Sequence, residues 1–405
     1  MEKLRKREHD FSSKLRQEST IKRLREYIGW QRDLRQGSPN QPIPHYSPVS
    51  INLDLTSACN FSCPFCVDST LTNSGKKLKL ADIKKTLETL RSYGLLSVIL
   101  IGGGEPTLHK TFSEVVRFIK ERKLQVGIVT NGSKLDAIAA IVPFLEGKDW
   151  IRISIDASQE GTFKELHRPR RKVSLHQILE GVKRITEANP AVSIGYSFLV
   201  VWEGIEVNGC RLKSNVDEIH ETVELAEKYG FDYVSLKPCL IRLEESHRES
   251  LLDKVDKDRE EEIIEKIKAA LEKAKGAAQD KVKILESVNL RAMLEGQAEG
   301  IKKQPKMCHL QFFRTVVSPS GIFHCPSLRG VAEAKIAESG GYMTEEKLAE
   351  TLQTTAKSVL SFDAAKECSV VGCFYHDANW WLEDFIHSGK DVSEIEEVED
   401  ENFFL

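Results

Sequence analysis

Between residues 51 and 236 the chain alternates short apolar runs with helix-length amphipathic stretches, and this constrains its fold more than any other feature. The runs 51–56, 97–101, 125–130, 150–155, 192–201 and 233–236 are rich in Val, Ile and Leu and bounded by turn residues. The stretches 80–93, 111–123, 134–145, 174–188 and 216–229 carry apolar residues at helical spacing. Strands alternating with helices predict right-handed β-α-β units and a parallel sheet in an α/β fold. Binding sites in such sheets lie at the carboxyl ends of the strands. Chemistry is therefore to be sought in the loops that follow the strands.

The first of those loops holds Cys59, Cys63 and Cys66 in Cys-Asn-Phe-Ser-Cys-Pro-Phe-Cys. Thiolates are the usual ligands of iron–sulfur clusters, and a four-iron cube needs four. Three closely spaced cysteines leave one iron open to a group that is not protein. A secreted disulfide framework is disfavoured, because Met1–Arg7 is charged and lacks the apolar core of a signal peptide. A zinc site usually pairs two hooks, and no second hook follows within a finger's length. By spacing alone, a cluster, a zinc ion and coincidence all stay open.

The second strand runs into Gly102-Gly103-Gly104-Glu105-Pro106. Consecutive glycines admit positive φ and let a backbone approach a ligand closely. A carboxylate fixed beside them can accept bonds from a ligand ammonium. The cysteine triplet followed by this segment resembles the radical SAM superfamily. There, Cys-x-x-x-Cys-x-x-Cys binds a [4Fe-4S] cluster, and Gly-Gly-Glu-Pro binds the methionine end of S-adenosylmethionine.

The resemblance implies a partial (β/α)6 TIM-like barrel and gives individual residues roles. Cys59, Cys63 and Cys66 would hold the cluster, while Gly103, Gly104 and Glu105 would meet the methionyl amine. Phe65 matches a position near the adenine, and Asn131 in Thr130-Asn131-Gly132 would line the cofactor. Ser154 and Asp156 match residues that reach the ribose hydroxyls, and Arg168 would meet the cofactor carboxylate. Reductive cleavage would give methionine and a 5′-deoxyadenosyl radical that takes a hydrogen from the substrate. The cofactor carries that chemistry, and the protein supplies binding and exclusion. The resemblance also implies a reductant such as flavodoxin or ferredoxin, and a peptide or small-molecule substrate.

Cys308, Cys325, Cys368 and Cys373 form a second set, with Cys308 before a hairpin-like 315–324 and Cys325 closing it. Four thiolates would complete a cluster with no open iron, and a four-cysteine zinc site is the physical alternative. The layout resembles the auxiliary-cluster extensions called SPASM and Twitch. Four cysteines rather than seven fit the shorter Twitch type, with an auxiliary [4Fe-4S] cluster. Cys239, just past the sixth strand, is a candidate hydrogen-atom donor to a substrate radical, which would invert a carbon centre. A small buried hydrophobe is its plain alternative.

The remaining features set bounds. The 405 residues are expected to divide into a helical extension and linker (1–47), the barrel (48–243), charged bridging helices (244–305), an auxiliary-cluster domain (306–381) and an acidic tail (382–405), whose run Asp391–Glu401 is expected to be solvated. The N-terminal stretch, with Leu15, Ile21, Leu24 and Ile28 at helical spacing, is expected to pack on the barrel or on a partner. A net charge of −3 gives no reason to expect nucleic acid, and no apolar run approaches the length needed to span a bilayer. Nine cysteines without a secretory signal point to metal and a reducing cytoplasm. The leading expectation is an oxidoreductase or isomerase acting by dehydrogenation, crosslinking or epimerisation. The contrasting one is a non-catalytic iron–sulfur or zinc protein that uses the scaffold for binding or sensing.

Overall fold

The computed structural model describes residues 11–37, 42–207, 209–243, 248–250, 257–278 and 281–399. It begins with helices α1 (Phe11–Leu15) and α2 (Glu18–Arg35). The alternating region then gives β1 (Ser50–Leu53), α3 (Leu80–Ser92), β2 (Ser97–Leu100), α4 (Phe112–Glu121), β3 (Gln125–Thr130), α5 (Leu135–Ala139) and β4 (Trp150–Ser154). It continues through α6 (Glu160–His167), α7 (Leu175–Ala188), β5 (Ser193–Val200), α8 (Ile219–Tyr229) and β6 (Tyr233–Pro238). Numbering only strands of the main sheet, the rest comprises α9 (Lys257–Ala277), β7 (Lys283–Glu286), α10 (Val288–Leu294), α11 (Ala298–Lys302), β8 (Arg314–Ser318), β9 (Gly321–Phe323) and β10 (Lys335–Ala337). Helices α12 (Glu345–Ser361), α13 (Ala364–Glu367) and α14 (His376–His387) complete the larger elements.

All six expected strands form, and each pairs in parallel with its neighbours, giving the expected open, partial (β/α) barrel. The sheet order is β7-β6-β5-β4-β3-β2-β1-β8-β9-β10. Residues such as Val98, Leu100, Val126, Ile128, Ile151 and Ile153 are fully buried, as strands covered by helices on one face and by packed side chains on the other require. Helix α3 buries Ile83, Leu87 and Leu90 on one face, each worth about 1.5–3 kcal/mol. The α7 start is fixed by a reciprocal capping box between Ser174 and Gln177.

The structure adds elements the alternation did not show. Helix α6 lies between β4 and α7, and β7 joins β6 as a further parallel strand. The hairpin does not stand apart from the sheet. Its first strand, β8, pairs in parallel with β1, with Ile51 opposite Thr315. This register brings the C-terminal segment directly beside the strand that feeds the cysteine loop.

Both chain ends are packed over their described parts. Helix α2 packs on the C-terminal segment as well as on the barrel, where Arg23 lies against Gly94 just after α3. Tyr27 lies edge-on to His309 and Phe313, and Arg32 Nη2 donates to the Phe385 carbonyl at 2.8 Å. The acidic stretch is not simply solvated over its described part. Ile395 is buried, Arg25 Nε donates to the Val392 carbonyl at 3.0 Å, and Val398 bridges Gln17. Of the expected charged helix, α9 buries Ile263, Ile267 and Leu271. Leu251, Leu252 and Val255 lie outside the described residues, as do Met1–Arg7, part of the 39–48 linker and Phe403-Phe404-Leu405. Among the described residues no helix is long and apolar enough to cross a membrane.

Candidate functional site

The loop after β1 folds back on itself before it presents any thiol. Asn73, at φ +60°, donates its backbone N–H to the Ser57 carbonyl, and its side chain accepts the Cys59 N–H at 2.9 Å. Cys66 donates its N–H to the Cys63 carbonyl at 3.2 Å, making a tight turn. All three cysteines are free and half-buried. Burial pushes the Cys66 thiol up to about 12 and raises Cys59, with charge on Cys63 adding to both.

The glycine segment is fitted to this loop. A Cβ on Gly104 would stand 2.4 Å from the Ala58 carbonyl oxygen, so only glycine allows the two backbones to meet. Beside it, the Glu105 N–H donates to that same Ala58 carbonyl at 2.8 Å. Gly103 takes φ +65°, and its N–H donates to Asp68 of the cysteine loop at 3.2 Å.

Glu105 is nine-tenths buried or more and holds its carboxylate in a closed set of donors. Thr107 N and Oγ1 and Thr130 Oγ1 donate to Oε1, and the Asn131 N–H donates to Oε2 at 2.7 Å. Burial raises its pKa, and these donors oppose the rise. A ligand ammonium would therefore meet a carboxylate already fixed in place. Asn131 carries the tie onward, since its Nδ2 donates to Asn60 at 3.0 Å and stands 4.0 Å from Cys59 Sγ.

Asp156 follows β4 at φ +57°. Its Oδ1 accepts the Leu199 N–H at 2.6 Å, and its Oδ2 lies 3.3 Å from His167 Nε2. Ser154 is half-buried at the end of β4. Arg168 ends α6 in the left-handed conformation and places Nη2 2.6 Å from Cys210 Sγ. Phe65 meets His167 edge-on at 5.9 Å. Cys239 is buried after β6, where burial and nearby Asp156 raise its thiol to about 12.

Sequence reasoning passed over two participants. His167 is fully buried, with Nδ1 3.3 Å from Cys63 Sγ and Nε2 2.8 Å from the Ile155 carbonyl. Burial lowers its pKa, but charge on Cys63 and Asp156 wins and lifts it to about 10. Arg329 reaches in from beyond β9 to pair with Asp54 and Asp68. The signal for His167 was its place beside Arg168 in Leu-His-Arg-Pro-Arg, whereas nothing local marks Arg329. A cavity of about 130 Å³ lies beside the Gly103 segment, lined by Asp54, Ser57, Lys76, Gly103 and Ser320 among others.

The second cysteine set converges. Cys308, Cys325, Cys368 and Cys373 line one apolar cavity of about 20 Å³ beneath α14, together with His324 and Asn379. Burial raises all four thiols, Cys325 to about 12, and charge on Cys308 adds to the rise at Cys325, Cys368 and Cys373. Asn379 Nδ2 donates to Cys308 Sγ at 3.6 Å. Among the described residues no three Cys, His, Asp or Glu side chains are gathered closely enough to hold a single ion. Free thiols, three in the first loop and four around the second cavity, are of the donor type that iron–sulfur clusters take.

Residues 53–206 match the family described as the Radical SAM superfamily. Among curated proteins, a probable GTP 3',8-cyclase of Saccharolobus solfataricus is 32% identical over 187 residues, covering 46% of this chain and 55% of that protein. An S-adenosylmethionine-dependent nucleotide dehydratase of Selenomonas ruminantium is 32% identical over 108 residues, covering 26% of this chain and 39% of that one. The chain thus spans about half the length, or less, of these curated relatives. Among solved structures, Streptococcus suis SuiB bound to precursor peptide SuiA has a TM-score of 0.54 at 16% identity, covering 78% of this chain and 67% of that chain. The anSMEcpe structure with bound AdoMet has a TM-score of 0.55 at 14% identity, covering 86% and 99%. At such identities these two structures share the fold.

Proposed function

With residues 53–206 belonging to the radical SAM superfamily, we propose that the protein is an enzyme that cleaves S-adenosylmethionine reductively and oxidises a peptide or small-molecule substrate. A [4Fe-4S] cluster and S-adenosylmethionine, when bound, supply a 5′-deoxyadenosyl radical that takes a substrate hydrogen. The chain's own residues hold and orient. Cys59, Cys63 and Cys66 would carry the cluster, and the 102–105 segment would cradle the methionyl end of the cofactor. Ser154 and Asp156 would face its ribose, Phe65 its adenine and Arg168 its carboxylate. The observation that carries this reading is the fit of Gly104 against Ala58, which makes the cysteine loop and the glycine loop one unit at the strand ends.

Cys308, Cys325, Cys368 and Cys373 would hold an auxiliary [4Fe-4S] cluster, a one-electron centre suited to dehydrogenation or crosslinking. The parallel pairing of β8 with β1 supports this, because it anchors the second site to the strand of the first. The names of relatives include nucleotide enzymes and a peptide-bound structure, so both substrate classes are assayed. Flavodoxin or ferredoxin would serve as reductant. The position of Cys239 just past the carboxyl end of β6, where its N–H donates to the Val200 carbonyl, favours a second reading, epimerisation with Cys239 returning the hydrogen.

The test is anaerobic reduction with S-adenosylmethionine. Formation of 5′-deoxyadenosine is expected, and Cys59, Cys63 and Cys66→Ala together should abolish it and lower iron by about one cube. Failure of the parent protein to form it would leave the non-catalytic iron–sulfur or zinc binder.

A further inference from the structure

The C-terminal cavity contains more donor chemistry than four thiols require. His324 lines it with the four cysteines and is only 2% exposed. Neither ring nitrogen has a hydrogen-bond partner among the described residues. The ring instead meets Phe362 edge-on at 4.7 Å. A buried N–H without an acceptor is destabilising, and native interiors seldom carry one. Gln304 Oε1 and Tyr375 Oη line the same cavity and are likewise without a partner among the described residues, so the pocket holds several buried polar groups that a bound group could satisfy.

The two sites differ in this respect. At the first, His167 is committed on both nitrogens, one of them beside Cys63 Sγ. At the second, Cys308 has Asn379 as a donor, and His324 has none of its capacity used. The four thiols line one cavity, and four are enough for a cube, so His324 is not needed as a ligand.

We propose that His324 is a positioning residue that donates its N–H to a sulfur of the cluster held by Cys308, Cys325, Cys368 and Cys373, raising that cluster's reduction potential. This rests on the reading of the second site as an iron–sulfur site. Hydrogen bonds to cluster sulfurs are one of the means by which a protein sets potential.

The experiment uses the full chain carrying Cys59, Cys63 and Cys66→Ala, reconstituted anaerobically with iron and sulfide, so that only the second site is loaded. About four irons per chain are expected. His324→Phe should keep that iron and move the midpoint potential, read by electron paramagnetic resonance titration, to more negative values. His324→Gln, which keeps an N–H donor, should recover most of the shift. An unchanged potential in His324→Phe overturns the inference. Histidine labelled with the heavy nitrogen isotope gives a readout in the unsubstituted site. A weak coupling of one histidine nitrogen to the reduced cluster supports donation, while a strong coupling (direct ligation) or none overturns it. Absence of a cluster in the triple-alanine parent overturns the auxiliary-site reading and this inference with it. A loaded site indifferent to His324 overturns the inference alone.

Discussion

Arg329 Nε stands 2.8 Å from Asp54 Oδ2, although the two residues lie far apart in sequence. The same guanidinium places Nη1 2.9 Å from Asp68 Oδ2, which also accepts the Gly103 N–H. It lies so close beneath Gly102 that an added Cβ there would stand 2.5 Å from Arg329 Cζ. A residue from the C-terminal segment thus supports the glycine loop and the cysteine loop together.

Removing that cation leaves two buried carboxylates without a counter-charge. Arg329→Met is expected to lower stability by about 3–5 kcal/mol, measured by chemical denaturation. Combining it with Asp54→Asn and Asp68→Asn should recover a large part of the loss, because the uncompensated charge is then gone. If the single substitution proves neutral, the guanidinium does not hold the loops.

Gly104→Ala tests the contact between the two loops. The new methyl group collides with backbone at Ala58, so the cysteine loop must shift. We expect about 1–3 kcal/mol of destabilisation, and a preferential loss of iron from the first site while far-ultraviolet circular dichroism stays native. Retention of full iron and S-adenosylmethionine binding would show that the loop tolerates displacement.

Glu383 gives a pH prediction for the docking of α2. Its burial raises the carboxyl pKa, but the His309 N–H at 2.7 Å and Arg35 at 2.9 Å outweigh this and hold it at about 2, below its ordinary 4.5. Burial lowers the His309 pKa, so we treat the ring as a neutral donor from Nε2, with Nδ1 facing Tyr27 Oη at 2.8 Å. A depressed carboxyl pKa contributes stability that is present above 4.5 and lost as pH falls towards 2. Glu383→Gln should cost about 1–2 kcal/mol at neutral pH, allowing for its partial exposure, and should flatten the loss across that acid window. Denaturation midpoints measured through the window provide the check.

Cys239 bears on the stereochemical outcome. Its raised thiol pKa of about 12 keeps an S–H at neutral pH, the form a hydrogen-atom donor needs. If the product is an epimer, Cys239→Ala should abolish it while 5′-deoxyadenosine still forms, and deuterium from heavy water should enter only the parent's product. Full epimer yield from the variant removes Cys239 from the chemistry.

Much of this architecture was legible in the chain. Period and length alone located six strands, because buried parallel strands need continuous apolar runs. The thiols and the glycine–glutamate segment were equally plain, since their chemistry depends on residue type at fixed spacing. Helix α6 escaped notice because its apolar residues, Phe163 and Leu166, are few and its neighbours polar. Strand β7 escaped because Lys283 and Glu286 flank only two apolar residues. His167 was visible as a residue but not as a neighbour of Cys63, which the chain approaches only after folding.

By itself, then, the sequence determined the alternating α/β plan, the three-cysteine loop with its glycine partner, and the presence of a second cysteine set. Those follow from local pattern and from side-chain chemistry, which need no partner distant in the chain. Only the tertiary structure decided that β8 lies beside β1, that Arg329 supports the glycine loop, and that His324 turns an unpaired imidazole to the four thiols. These depend on which distant segments meet, and a buried charge or donor acquires its meaning from what is buried with it.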